Sequence, residues 1–132
     1  MIEVNNLTTS VVEEDFLKGV AKNVLKGENR ETAEISIALF GEGRNKSLNK
    51  KHRKKNRVTD VLSFSNDQGG EVAICLKQVR KNAKQFGVSF EKELAKVLIH
   101  GILHIFGFDH QKKEEAGKME KKEKEYLNKL SF

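Results

Sequence analysis

With 132 residues, 37% of them hydrophobic and 33% charged, the chain has the size and composition of one globular domain, expected over 1–132, and no apolar run long enough to span a bilayer. The opening MIEVNNLTT shows no basic stretch followed by an apolar one, so no secretion signal is expected and the cytoplasm is the expected location. A formal charge of +6 suits a polyanionic partner, and a single cysteine excludes an internal disulfide; Cys75, inside the apolar run at 72–76, reads as a core residue.

In chain order, a short strand is expected at 2–4, then an amphipathic helix with Phe16, Leu17, Val20, Ala21, Val24 and Leu25 on one face, ended by Gly27. Ile35, Ile37 and Leu39 alternate as a strand. Residues 44–57, RNKSLNKKHRKKNR, carry eight Lys or Arg and no acid, whereas residues 1–40 hold seven acidic and four basic side chains. The charge excess is therefore local, and a patch of this kind suits nucleic acid. Two further β runs are expected at 61–64 and 72–76, then a basic helix over about 77–86 that Gly87 breaks. Ser89, with Glu91 and Glu93 behind it, predicts the N-terminus of the next helix. No repeat or linker interrupts the chain, and without proline its turns fall to Gly, Asn and Asp. The C-terminal KKEEAGKMEKKEKEYLNKL nearly balances Glu against Lys and reads as solvated surface.

The helix over 94–106, LAKVLIHGILHIF, is apolar on nearly every side, as a helix at the centre of a small domain would be. One histidine there would ordinarily be a hydrogen-bonded core residue. Here three of the chain's four histidines fall within eleven residues, as H-x3-H-x5-H. His100 and His104 are four apart and share a helix face, with Cβ atoms roughly 5–6 Å apart. Gly107 permits the turn that brings His110 back toward them. This is the ligand spacing of the zincin motif H-E-x-x-H-x-x-G-x-x-H, with Gly101 where the glutamate base would stand.

Three neutral imidazoles suit a single Zn2+ with an open fourth position, and other divalent transition metals accept the same donors. Asp109 could fix the tautomer of a histidine ligand or cap the turn, and both readings stand. Without the protease base, hydrolysis of an anionic ester becomes the more suitable chemistry. In a phosphodiester the developing charge lies on phosphoryl oxygens, for which a zinc ion and an arginine are apt partners.

Two blocks, HGILHIFGFDH at 100–110 and LNKKHRKKNRVTDVLSF at 48–64, give the chain a resemblance to the YbeY endoribonucleases, bacterial factors acting on ribosomal RNA. The first is similar to the family's H-G-x-L-H-L-x-G-y-D-H and the second to its L-N-x-x-[YF]-R … T-D-V-L-S-F, with the likeness running from about Ile35 onward. His52, Val58 and Glu71 depart from the usual aromatic, proline and aspartate. The resemblance implies an α+β fold, a small mixed β-sheet packed with helices, distantly zincin-like, with the histidine-bearing helix at its centre. It also implies zinc-dependent, single-strand-specific RNA cleavage in maturation of the 16S rRNA 3′ end and in ribosome quality control.

On that resemblance the metal ligands fall on His100, His104 and His110, and the functional arginine on Arg53. Lys50, Lys51, Lys54, Lys55 and Arg57 are the candidate RNA contacts, and Asp109 the candidate partner of a ligand histidine. The implied partners are ribosomal RNA and the small ribosomal subunit with its proteins, and no membrane. A metal-dependent hydrolase of another substrate and a non-catalytic, metal-containing ribosome-assembly factor are the competing readings.

Overall fold

The computed structural model of the chain describes residues 1–41, 60–108 and 113–130. Four strands, β1 (Ile2–Asn6), β2 (Glu34–Phe40), β3 (Val61–Ser65) and β4 (Gly69–Cys75), form one sheet in the order β1-β2-β4-β3. β1, β2 and β4 are parallel, and β3 joins the edge antiparallel to β4 with Ser63 opposite Val72. A mixed sheet of this kind agrees with the expected fold class. Central β4 is apolar without alternation, because Val72, Ala73, Ile74 and Cys75 are all buried and both faces of the strand are covered. In β2 the alternation survives: Ile35, Ile37 and Leu39 face the main core, while Phe40 joins Leu62, Ala73 and Cys75 in a small cluster apart from it. Cys75 is thus a core residue, as its surroundings in the sequence suggest.

Four helices accompany the sheet: α1 (Glu14–Gly27), α2 (Leu76–Phe86), α3 (Phe90–Ile105) and α4 (Lys113–Asn128). No helix among the described residues is long and apolar enough to cross a membrane. Helix α3 is the hub and packs on β3, β4 and all three other helices. It starts where the sequence predicts, with the Ser89 hydroxyl accepting from the Lys92 amide at 3.1 Å and Glu91 and Glu93 in the first turn. It ends in a Schellman turn in which Phe108 N–H bonds Leu103 O, Gly107 N–H bonds His104 O and Gly107 takes φ 97°.

Midway along α3, Gly101 lies against the sheet. A Cβ there would stand 2.7 Å from Val72 Cγ1, 3.1 Å from Ser63 Oγ and 3.2 Å from Val61 Cγ2. The Ser63 hydroxyl donates to the Gly101 carbonyl at 2.9 Å and ties the helix to the edge strand. Gly101 therefore does more than vacate the position of a protease base, because the sheet leaves no room for a side chain there.

One expectation is met with an added reason, and another needs correction. Gly27 is the last residue of α1, as expected, and Asn29 beyond it takes the positive φ of 58°. Glycine is needed at 27 because a Cβ would run into the Tyr126 ring. The C-terminal segment, expected as solvated surface, is helix α4 and buries Met119 and Tyr126 in the core. Lys122 Nζ donates to Glu28 Oε2 at 2.9 Å, and the Tyr126 hydroxyl donates to the same oxygen, so α4 is fastened to the end of α1. Burial and the bond to Glu28 push the Tyr126 phenol above its ordinary range, keeping it a proton donor.

Two predictions follow from this packing. Replacing a helical glycine by alanine ordinarily gains about 1 kcal/mol of propensity, but overpacking costs about 1–3 kcal/mol. Gly101→Ala should therefore lose up to about 2 kcal/mol in urea unfolding, and a raised midpoint would mean that the sheet yields. The second concerns Glu93, a charged side chain only 3% exposed, whose carboxyl burial raises above its ordinary 4.5 while Lys96 opposes and Asp60 reinforces the shift. The folded state then holds this proton more tightly than the unfolded chain, so the group's contribution to stability falls as pH rises between the two values. Glu93→Gln should raise the melting temperature at pH 7 to 8, and the gain should vanish in melts taken below the ordinary carboxylate range.

Candidate metal centre

Helix periodicity alone puts His100 and His104 on the face of α3 flanking Gly101, and the structure places their ring centroids 5.1 Å apart at an interplanar angle of 67°. Both are partly buried, on a helix whose opposite faces are packed against the sheet and α1, which limits their freedom to move. Edge strand β3 runs beside them, held by Ser63. The structure therefore brings together two of the three expected ligands. His110 and Asp109 lie outside the described residues, as do Arg53, Lys50, Lys51, Lys54, Lys55, Arg57 and His52. Among the described residues, no group of three His, Cys, Asp or Glu side chains is arranged to hold a metal ion.

A residue that the sequence reading missed stands behind the pair. Glu123 of α4 puts Oε1 2.5 Å from His100 Nδ1, with side chains 15% and 31% exposed respectively. A carboxylate accepting from Nδ1–H fixes the tautomer and ring orientation, so Nε2 is the donor His100 would offer a metal. The role considered for Asp109 is thus filled, for His100, by a residue 23 positions away in sequence. Its signal was the spacing of Met119, Glu123, Tyr126 and Leu130, one helical stripe within a segment whose balanced charge suggested solvent. Chemically, the pair fits a borderline-soft divalent cation: two imidazoles on one rigid face, one backed by a carboxylate.

Beside His100 opens a cavity of about 270 Å3 between α2, α3 and α4 and the start of β3, with Glu93, Phe86 and Asp60 in its wall. A larger depression of about 750 Å3 lies beyond the other end of α3, between the turn at 66–69, Arg30 and Phe106. There the Arg30 guanidinium carbon sits 5.6 Å from the Phe106 ring centroid, a cation over an aromatic face.

The family profile described as endoribonuclease YbeY matches residues 2–131. Proteins named endoribonuclease YbeY from Chlorobium luteolum and Carboxydothermus hydrogenoformans are respectively 31% identical over 133 residues and 37% identical over 141. The alignments cover 98% of this chain and 97% of the first relative, and 100% of this chain and 99% of the second. A solution structure of a Thermotoga maritima protein superposes with a TM-score of 0.71 at 34% identity, covering 96% of this chain and 87% of that one. A match over nearly the whole length, in sequence and in fold, places this chain in the endoribonuclease YbeY family.

Proposed function

We propose that the chain is a zinc-dependent, single-strand-specific endoribonuclease of the cytoplasm that matures the 16S rRNA 3′ end and serves ribosome quality control, with ribosomal RNA and the small subunit as partners. The observation that carries this reading is the His100–His104 pair, backed by Glu123, on a helix whose sheet side has no room for a carboxylate at position 101. A zincin-type protease draws its general base from that position, so its exclusion favours chemistry in which charge develops on the substrate's own oxygens. Family membership supplies the substrate class, RNA.

In this reading His100, His104 and His110 hold one Zn2+, which when bound supplies Lewis acidity toward a phosphoryl oxygen and toward water. Glu123 keeps the His100 ring in place through Nδ1. Arg53 offers a fork of donors to the scissile phosphate and stabilises the charge that grows there. Lys50, Lys51, Lys54, Lys55 and Arg57 neutralise neighbouring phosphates and hold the strand.

Purified protein incubated with single-stranded rRNA, with and without chelator, tests the activity alongside His104→Ala and Arg53→Ala. Cleavage should require the metal and His104, and Arg53→Ala should slow it about 100- to 1000-fold. Equal cleavage in all four samples would refute the reading, and undiminished rRNA binding without metal-dependent cleavage would favour an assembly factor. Glu123 is tested separately, by zinc competition against a chromophoric chelator. Glu123→Ala should weaken zinc affinity about 10- to 100-fold, with Glu123→Gln retaining more of it. Equal affinities would show that the Glu123 contact does not support the site.

A further inference from the structure

The cavity beside His100 contains a buried carboxyl group that no hydrogen bond among the described residues satisfies. Glu93 is 3% exposed and lines the cavity, yet among the described residues no donor hydrogen-bonds its carboxylate. The neighbouring acids differ. Glu123 is committed to His100, and Asp60 accepts from Asn82 Nδ2 at 3.3 Å, with Gln78 donating in turn to Asn82 Oδ1. A buried, unsatisfied carboxylate is costly enough to need an explanation, and the natural one is a ligand that donates to it. Among the described residues the acids of the cavity are not grouped to hold a metal ion, which favours a ligand that donates hydrogen bonds.

The rest of the wall indicates what is. Phe86 closes α2 and is 57% exposed, an unusual placement for phenylalanine, and the Lys96 ammonium lies 5.5 Å from its ring centroid. An exposed aromatic ring beside a buried acceptor, with a cation at the rim, is the equipment that single-stranded RNA binders apply to one unstacked base. The ring stacks, the acceptor reads the base edge, and the cation takes the adjoining phosphate.

Resting on the reading of RNA as substrate, we propose that this cavity is a nucleobase subsite next to the cleavage centre and that Glu93 selects guanine. Guanine presents N1–H and the N2 amino group side by side on its Watson–Crick edge, which matches the two oxygens of a carboxylate. Adenine and cytosine offer one amino group next to an acceptor. Uracil offers one N–H between two carbonyls, which would be held against the charge.

The test measures fluorescence anisotropy of a short labelled oligouridine, and of the same oligomer with one central guanosine, adenosine or cytidine, on the full chain. Chelator is present so that cleavage does not intervene. The wild type should bind the guanosine oligomer about 10- to 100-fold more tightly than oligouridine. Glu93→Gln should bring that ratio near one while thermal unfolding shows the protein still folded. Phe86→Ala should weaken all four oligomers about 5-fold or more, whatever the base. A wild-type ratio near one, or a ratio that persists in Glu93→Gln, overturns the assignment. Cleavage of the same oligomers with zinc present separates the two levels: cutting without guanine preference removes only the subsite, whereas neither binding nor cutting removes the nuclease reading as well.

Discussion

The contact of Gly101 with β3 and β4 sets the position of α3, and through it the position of every group on the other faces of that helix. A side chain at 101 would meet Val72, Ser63 and Val61 at once, so the helix would have to lift or rotate. Rotation would carry His100 and His104 away from the edge strand, since all three residues share one rigid backbone. The Ser63 hydroxyl bond to the Gly101 carbonyl adds an axial constraint that hydrophobic packing, being non-directional, cannot give. The absence of the protease base and the precision of the histidine pair thus have one cause.

Helix α4 applies the same economy from the other side. Its apolar anchors, Met119 and Tyr126, are buried, and the Tyr126 ring occupies the space that glycine leaves at position 27. Glu28 gathers the Lys122 ammonium and the Tyr126 hydroxyl on one oxygen. Each of these contacts holds the helix that carries Glu123, and Glu123 stands a single turn from both Met119 and Tyr126. A carboxylate that must meet an imidazole nitrogen at hydrogen-bond distance tolerates little drift, and anchors on either side along the helix supply the restraint.

What the sequence made legible follows the strength of its local signals. The alternation of Ile35, Ile37 and Leu39, the amphipathic face of α1, the Ser89 cap and the Gly107 stop each depend on residues within a few positions of one another, and each appears in the fold. The His100–His104 pair was legible for the same reason. Glu123 was not, because its importance lies in a contact across 23 residues and its own segment is mostly charged. Gly27 was legible as the end of α1 but not for its packing role, because it also makes room for a partner 99 residues further on. Gly101 was legible as a missing glutamate, but not as a packing requirement, since no local pattern reveals which strand will lie against a helix.

Glu93, Lys96, His100 and His104 recur at intervals of three or four and so lie along one stripe of α3. Seven residues separate Glu93 from His100, or about 10 Å of helical rise. If a base is read at one end of that stripe and a phosphate is cut at the other, the distance between them is set by a helix rather than by a loop. Loops tolerate changes of length and breathe on fast timescales, and a helix pinned to a sheet by Gly101 and Ser63 does neither. The proposed subsite would then act as a ruler as well as a filter, holding the bond to be cleaved at a fixed offset from the recognised base.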